Sequence, residues 1–241
     1  MKILPILFLF LIFTYQLESQ PLLIPYSGPF DARATTFSNE YYSIVSQQLS
    51  ENAFSQNYFP IITMFSMVSD PNAFFDTHRK KVEVPEWGII IAVKRKSSEC
   101  MLISMKADKN ILNQILISDK RKQHFNPKTV KVIVNKMQLD STLTETIRKL
   151  FYSMVSNVKY SDQSYGSIDG SDIYYNFSIN GKYGVRSGYN FHIVFDSPCW
   201  YMNRICDILS SISVTKGEEQ QTYYKKLNIE ISELQKKIGA N

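Results

Sequence analysis

Two hydrophobic periods share this chain. From Trp87 to Val93 the run Trp-Gly-Ile-Ile-Ile-Ala-Val is apolar at successive positions, which suits a central strand buried on both faces. A polar turn over Lys94–Glu99 separates it from Cys100–Met105, so the two predict a hairpin. Upstream, "FPIITMFSMVSDP" reads as a strand ended by Asp70-Pro71. Beyond Pro127, "TVKVIVNKM" sets Val130, Val132 and Val134 on one face and predicts another strand. Lys109–Ser118 satisfies the helical and the strand period equally, because it is so short.

Elsewhere the spacing is three and four. Tyr41, Tyr42, Ile44, Val45, Leu49 and Phe54 behind Ser38 predict a helix near 38–54. Asp140 or Ser141 caps a helix near 141–158, with Leu143, Ile147, Leu150, Phe151, Met154 and Val158 as its apolar stripe. Ser197-Pro198 opens a helix near 198–215 that carries Cys199, Met202, Cys206 and Leu209 on one face, widened by Ile205, Ile208 and Ile212. A C-terminal helix near 218–238 bears a narrow stripe of Tyr224, Leu227, Ile231, Leu234 and Ile238, which suits either a helix lying across its own domain or a short coiled-coil seam. The fold class is therefore α+β: a mostly antiparallel sheet built from hairpins and packed by helices. No linker divides it, so 20–241 reads as one domain, or as two sub-lobes meeting near 120–128.

The aromatic stretch Asp169–Asp196 answers to the strand period. Ile173, Tyr175, Phe177 and Ile179 alternate with Asp172, Tyr174, Asn176 and Ser178, the pattern of a half-buried strand. Asn180-Gly181 signals a tight turn. A three-residue loop, Asn180-Gly181-Lys182, would pair Ile179 with Tyr183 and Phe177 with Val185, and would carry Tyr189, Phe191, Ile193 and Phe195 on the apolar face. His192 then falls on the other face with Asn190, Val194 and Asp196.

The first residues bear on where the protein works. One lysine, then an apolar run from Ile3 to Phe13 and polar Thr14, Gln16 and Glu18, has the anatomy of a secretory signal peptide cut after Ser19. The run falls short of the roughly 20 apolar residues of a membrane span, so the expectation is a secreted or periplasmic protein with no stable membrane anchor. Formal net charge is +5, and removing 1–19 takes one charge of each sign. The basic clusters His78–Lys81, Lys94–Lys96 and Lys120–Lys122 are dispersed and not interleaved with aromatics, which argues against nucleic acid. Three cysteines in an oxidising compartment invite pairing. Cys199 and Cys206 on one helix would lie about 10.5 Å apart along its axis, beyond the roughly 7 Å reach of a disulfide. A bridge would therefore join Cys100 to Cys199 or to Cys206, and three buried thiols are the alternative.

Enzymatic signals are sparse. No close-spaced metal-ligand set, calcium loop, Gly-x-Ser-x-Gly elbow or phosphate-cradling loop occurs, so no metal and no cofactor is expected. One arrangement suits nucleophilic catalysis: Cys199 near a helix start, with His192 seven residues earlier.

The second half, with a strand at 129–137, a helix at 141–158, "IDGSDIYYNF" and "SPCWYMNRICDILSSI", resembles small uncharacterised secreted or periplasmic bacterial proteins, including secretion-system immunity proteins. That resemblance brings no catalytic residues. The leading expectation is a non-enzymatic protein that binds another protein through Tyr174, Tyr183, Arg186 and Tyr189 near hairpin ends. The rivals are a secreted cysteine-dependent hydrolase using Cys199 and His192, and an envelope component assembled through the C-terminal helix.

Overall fold

The computed structural model describes residues 24–25, 36–51, 58–68, 84–95, 97–121, 124–156, 173–181, 184–190 and 195–239. The expected signal peptide lies outside them. In chain order the elements are β1 (Ile24–Pro25), α1 (Thr36–Glu51), β2 (Tyr58–Val68), β3 (Trp87–Lys94), β4 (Cys100–Ala107), α2 (Ile111–Lys120), β5 (Val132–Leu139), α3 (Ser141–Ser156), β6 (Ile173–Gly181), β7 (Gly184–Asn190), α4 (Pro198–Val214) and α5 (Gly217–Ile238). The strands form one antiparallel sheet in the order β1-β7-β6-β2-β3-β4-β5. The α+β class follows directly.

Alternation on β3 shows why the sheet needs helices on both sides. Ile89 and Ile91 enter one core with Phe151 of α3, Met202 and Leu209 of α4, and Leu227 and Leu234 of α5. Ile90 and Ala92 enter a second core with Tyr41, Val45 and Leu49 of α1 and Ile111, Leu112 and Ile115 of α2. A strand apolar at every position is thus buried twice. Gly88 sits where β2 and β3 approach too closely for a side chain, since a Cβ there would meet Met64 O at 2.7 Å and Phe65 Cδ1 at 2.6 Å.

Helix ends follow the local chemistry. Asp140 caps α3 by accepting from Leu143 N at 2.8 Å. Ser197 caps α4 through Trp200 N, with Pro198 in the first turn. The first helix starts at Thr36, two residues before the expected cap Ser38.

Asn110 caps α2 by accepting from Asn113 N at 2.8 Å. That segment fits two periods in sequence, and a distant residue decides for the helix. Glu86, only 2 % exposed, accepts Ile111 N at 2.6 Å and Leu112 N at 3.1 Å, while Tyr41 Oη of α1 donates to its carboxylate at 2.9 Å. One carboxylate satisfies two orphan amides of a helix start and ties both helices of this face to the sheet.

The β6–β7 register corrects the expected hairpin. Gly181 pairs with Gly184, leaving a two-residue loop, so Ile179 pairs with Arg186 and Phe177 with Gly188 instead of with Tyr183 and Val185. The ladder continues to Gly181 and Gly184, past the Asn180-Gly181 position expected to turn. The parity of β7 is thereby reversed, and the strand ends at Asn190. Phe195, expected on the apolar face, lies in the turn before α4 and is 77 % exposed.

The expected bridge from Cys100 to Cys199 or Cys206 does not form. All three remain buried thiols in the same core, and Cys100 Sγ turns to the Ser98 carbonyl at 3.6 Å. Among the described residues no helix is long and apolar enough to cross a membrane.

Candidate functional site

The start of α4 gathers Phe195, Trp200 and Tyr201 around a polar frame, with Phe195 77 % exposed. A turn with Asp196 in the left-handed region (φ 64°) precedes the Ser197 cap. Aspartate tolerates that conformation better than most residues. Its carboxylate accepts Tyr201 Oη at 2.6 Å and also pairs with Lys237 Nζ of α5. These two donors hold the Asp196 carboxyl below its ordinary value, and the carboxylate in turn pushes the Tyr201 phenol up to about 12.

The two helices run antiparallel and are clasped along their length. Gln220 Nε2 donates to Ile212 O at 3.0 Å and Thr215 O at 2.9 Å near the connection. Arg204 Nε and Nη2 reach Glu230 Oε1 at 3.2 and 3.0 Å in the middle. Lys237 closes the far end on Asp196. Leu227, Ile231 and Leu234 are buried in the domain's own core, so the stripe of α5 is used within the chain.

On this frame the rings form a row. Phe195 meets Trp200 edge-on with centroids 5.1 Å apart, Trp200 meets Tyr201 at 4.9 Å and 90°, and the Arg204 guanidinium lies 5.2 Å from the Trp200 ring. Edge-to-face geometry and a cation over an indole are each favourable beyond area burial. The charges close on one another: Arg204 and Lys237 against Glu230 and Asp196. Phe195 and Arg204 are exposed and Trp200 is half-buried between them, so the surface is amphipathic with its polar groups already paired.

No family model, curated protein or solved structure matches the chain. The functional reading therefore rests on this geometry.

The residues singled out in the sequence are not brought together in this way. The register sets Tyr174 opposite Met67, Arg186 opposite Ile179, and Tyr189 between Ile24 and Asn176, so position 186 has the opposite pleat parity from 174 and 189. Tyr183 and His192 lie outside the described residues. Cys199 is 1 % exposed, and burial pushes its thiol up to about 12, which leaves it neutral at physiological pH. Burial raises the Cys206 thiol too. Among the described residues no three His, Cys, Asp or Glu side chains gather as a metal site. A hollow at the start of α5, lined by Gly217, Glu218, Gln220, Gln221, Thr222 and Lys225, is made by one helix alone and has no second wall to enclose a ligand.

Sequence reasoning passed over Phe195, Trp200, Arg204, Glu230 and Lys237. Trp200 and Arg204 carry a local signal, since a tryptophan and an arginine four apart share one helix flank. Their partners on α5 carry none, because which face of α5 meets α4 is a tertiary fact.

Proposed function

We propose that this chain is a secreted or periplasmic, non-enzymatic binding protein whose α4–α5 surface engages another protein. The observation that carries the reading is the row of exposed Phe195, half-buried Trp200 and exposed Arg204, beside the Asp196–Lys237 and Arg204–Glu230 clasps. Tryptophan, tyrosine and arginine dominate interface energetics, and side chains fixed before binding lose less entropy when they dock. The raised thiol of Cys199 weighs against a cysteine hydrolase, because the thiolate is the nucleophile. The buried stripe of α5 weighs against assembly through that helix.

The test is affinity capture of the full-length chain, expressed in its own host with a tag after Asn241 on a flexible linker. Wild type is compared with Phe195→Ala/Trp200→Ala, and the N-terminus of the captured chain is read by mass spectrometry. A protein retained at stoichiometric amounts by wild type and lost from the double variant supports the reading, and a chain beginning at residue 20 supports export. Retention indifferent to the two rings, or no retained protein, overturns the assigned surface.

A further inference from the structure

The β5 edge of the sheet is a second surface, independent of the α4–α5 row. β5 is the last strand in the order, and among the described residues no strand pairs with its outer edge. Its eight-residue ladder with β4 has no register shift and contains no proline. The ladder also fixes which backbone groups point outward. Asp108 N donates to Lys131 O at 2.8 Å, and Lys131 N donates to Asp108 Oδ1 at 2.8 Å, so Lys131 turns its polar groups toward β4. Antiparallel alternation then turns Ile133, Asn135 and Met137 inward. It leaves the N–H and C=O of Val132, Val134, Lys136 and Gln138 pointing away from β4, with no strand beside them among the described residues.

Side chains around that edge are apolar at one point and cationic on both sides. Ile133 is 56 % exposed, with Lys106 directly across from it on β4. Lys109, Lys128, Lys131 and Lys136 are exposed as well. No acid occurs from Pro127 to Leu139. The acids flanking the strand in sequence, Asp108 across from Lys131 and Asp140 after Leu139, accept Lys131 N and Leu143 N.

We infer that the β5 edge accepts an extended polypeptide segment in which carboxylates alternate with apolar side chains, adding it as a further strand. Main-chain bonds to Val132, Val134, Lys136 and Gln138 supply the pairing, and the lysines supply the sign preference. A second copy of this chain fits poorly, since edge-to-edge pairing would bring two lysine-rich, acid-free edges side by side. Lysine on an edge is a known guard against self-pairing. The same charges make the edge selective for an acidic strand.

The probe is a fluorescein-labelled peptide of alternating glutamate and valine, compared with one in which lysine replaces glutamate. Each is titrated by anisotropy against the full chain, with amide hydrogen exchange read along β5. The expected result is saturable binding of the glutamate peptide only, slowed exchange at Val132, Val134, Lys136 and Gln138, and weakening by salt. Lys106→Glu/Lys136→Glu, on exposed side chains, lowers affinity by about tenfold or more. Val134→Pro removes an outward N–H without touching the β4 ladder and abolishes binding; if it fails to fold, the charge-reversal pair carries the test. No saturable binding, equal binding of the lysine peptide, or binding without protection at those four amides overturns the inference. Concentration-dependent dimerisation that protects the same amides without peptide also overturns it, by assigning the edge to a second copy.

Discussion

Two buried polar side chains on opposite faces of the sheet are treated in opposite ways. Glu86, on the α1–α2 side, is 2 % exposed and every contact around its carboxylate is a donor: Ile111 N, Leu112 N and Tyr41 Oη. Asn203, in α4, is 3 % exposed, yet among the described residues neither its Nδ2 nor its Oδ1 has a hydrogen-bond partner. The first face uses its buried polar group to join two helices to the sheet. The second carries an amide one helical turn from Trp200 with no partner among the described residues, alongside a Ser104–Ser213 contact from β4 to α4 and the polar contacts between α4 and α5. The Glu86 contacts thus join helices to the sheet, whereas the Asp196–Lys237 and Arg204–Glu230 contacts frame the surface around Trp200.

The comparison breaks first at Glu86. Glu86→Ala leaves two helix amides and a phenol without their acceptor, and a loss of about 3–5 kcal/mol is expected, read as a fall in the urea midpoint with an unchanged slope. If the variant unfolds within about 1 kcal/mol of wild type, the clasp is dispensable and the contrast between the faces disappears. Its pH dependence has a definite sign. Burial raises the Glu86 carboxyl above its ordinary value, against the pull of the Ile111 and Leu112 amides and Tyr41. A group raised in the folded state contributes its full stability below the ordinary carboxylate range and loses it as pH rises through the folded value. Stability against pH should therefore fall more steeply across that window in wild type than in Glu86→Gln, and parallel curves would remove Glu86 as the titrating group.

Two residues along, Gly88 offers a purely steric comparison. A methyl there meets the Met64 carbonyl, which cannot rotate away, so Gly88→Ala is expected to cost about 1–3 kcal/mol with no change in pH dependence. On the other face the sign reverses. Asn203→Ala removes a desolvated amide and improves helix propensity, and a gain of about 1 kcal/mol is expected in thermal or urea unfolding. A loss of that size would mean that the amide has a role on this face after all. The smallest stability effect belongs to Arg204→Ala, below about 1 kcal/mol, because its pair with Glu230 is half in solvent. The same substitution should markedly reduce partner capture, so a stability loss without a capture defect would make Arg204 a structural clasp only.

The strand period of β3 and the helical stripes of α3, α4 and α5 were legible because each repeat is set by the backbone of its own segment. The caps Asp140 and Ser197 were legible for the same reason, since a cap lies within three residues of the amide it serves. Glu86 was not: it meets Ile111 from 25 residues away, and nothing near it announces a helix start. The β6–β7 register was not legible either: local turn chemistry sets the reversal at Asn180-Gly181-Lys182, whereas the ladder runs on to Gly181 opposite Gly184.

By itself the sequence determined the α+β class, most element positions and the apolar faces, because periodicity and capping are short-range consequences of backbone geometry. Tertiary structure alone decided that Lys109–Ser118 contributes a helix, that Arg204 and Lys237 close on Glu230 and Asp196, and that Phe195 faces solvent. Each of those depends on which distant groups are brought within hydrogen-bond or van der Waals reach, and distance along a chain carries no record of distance in space.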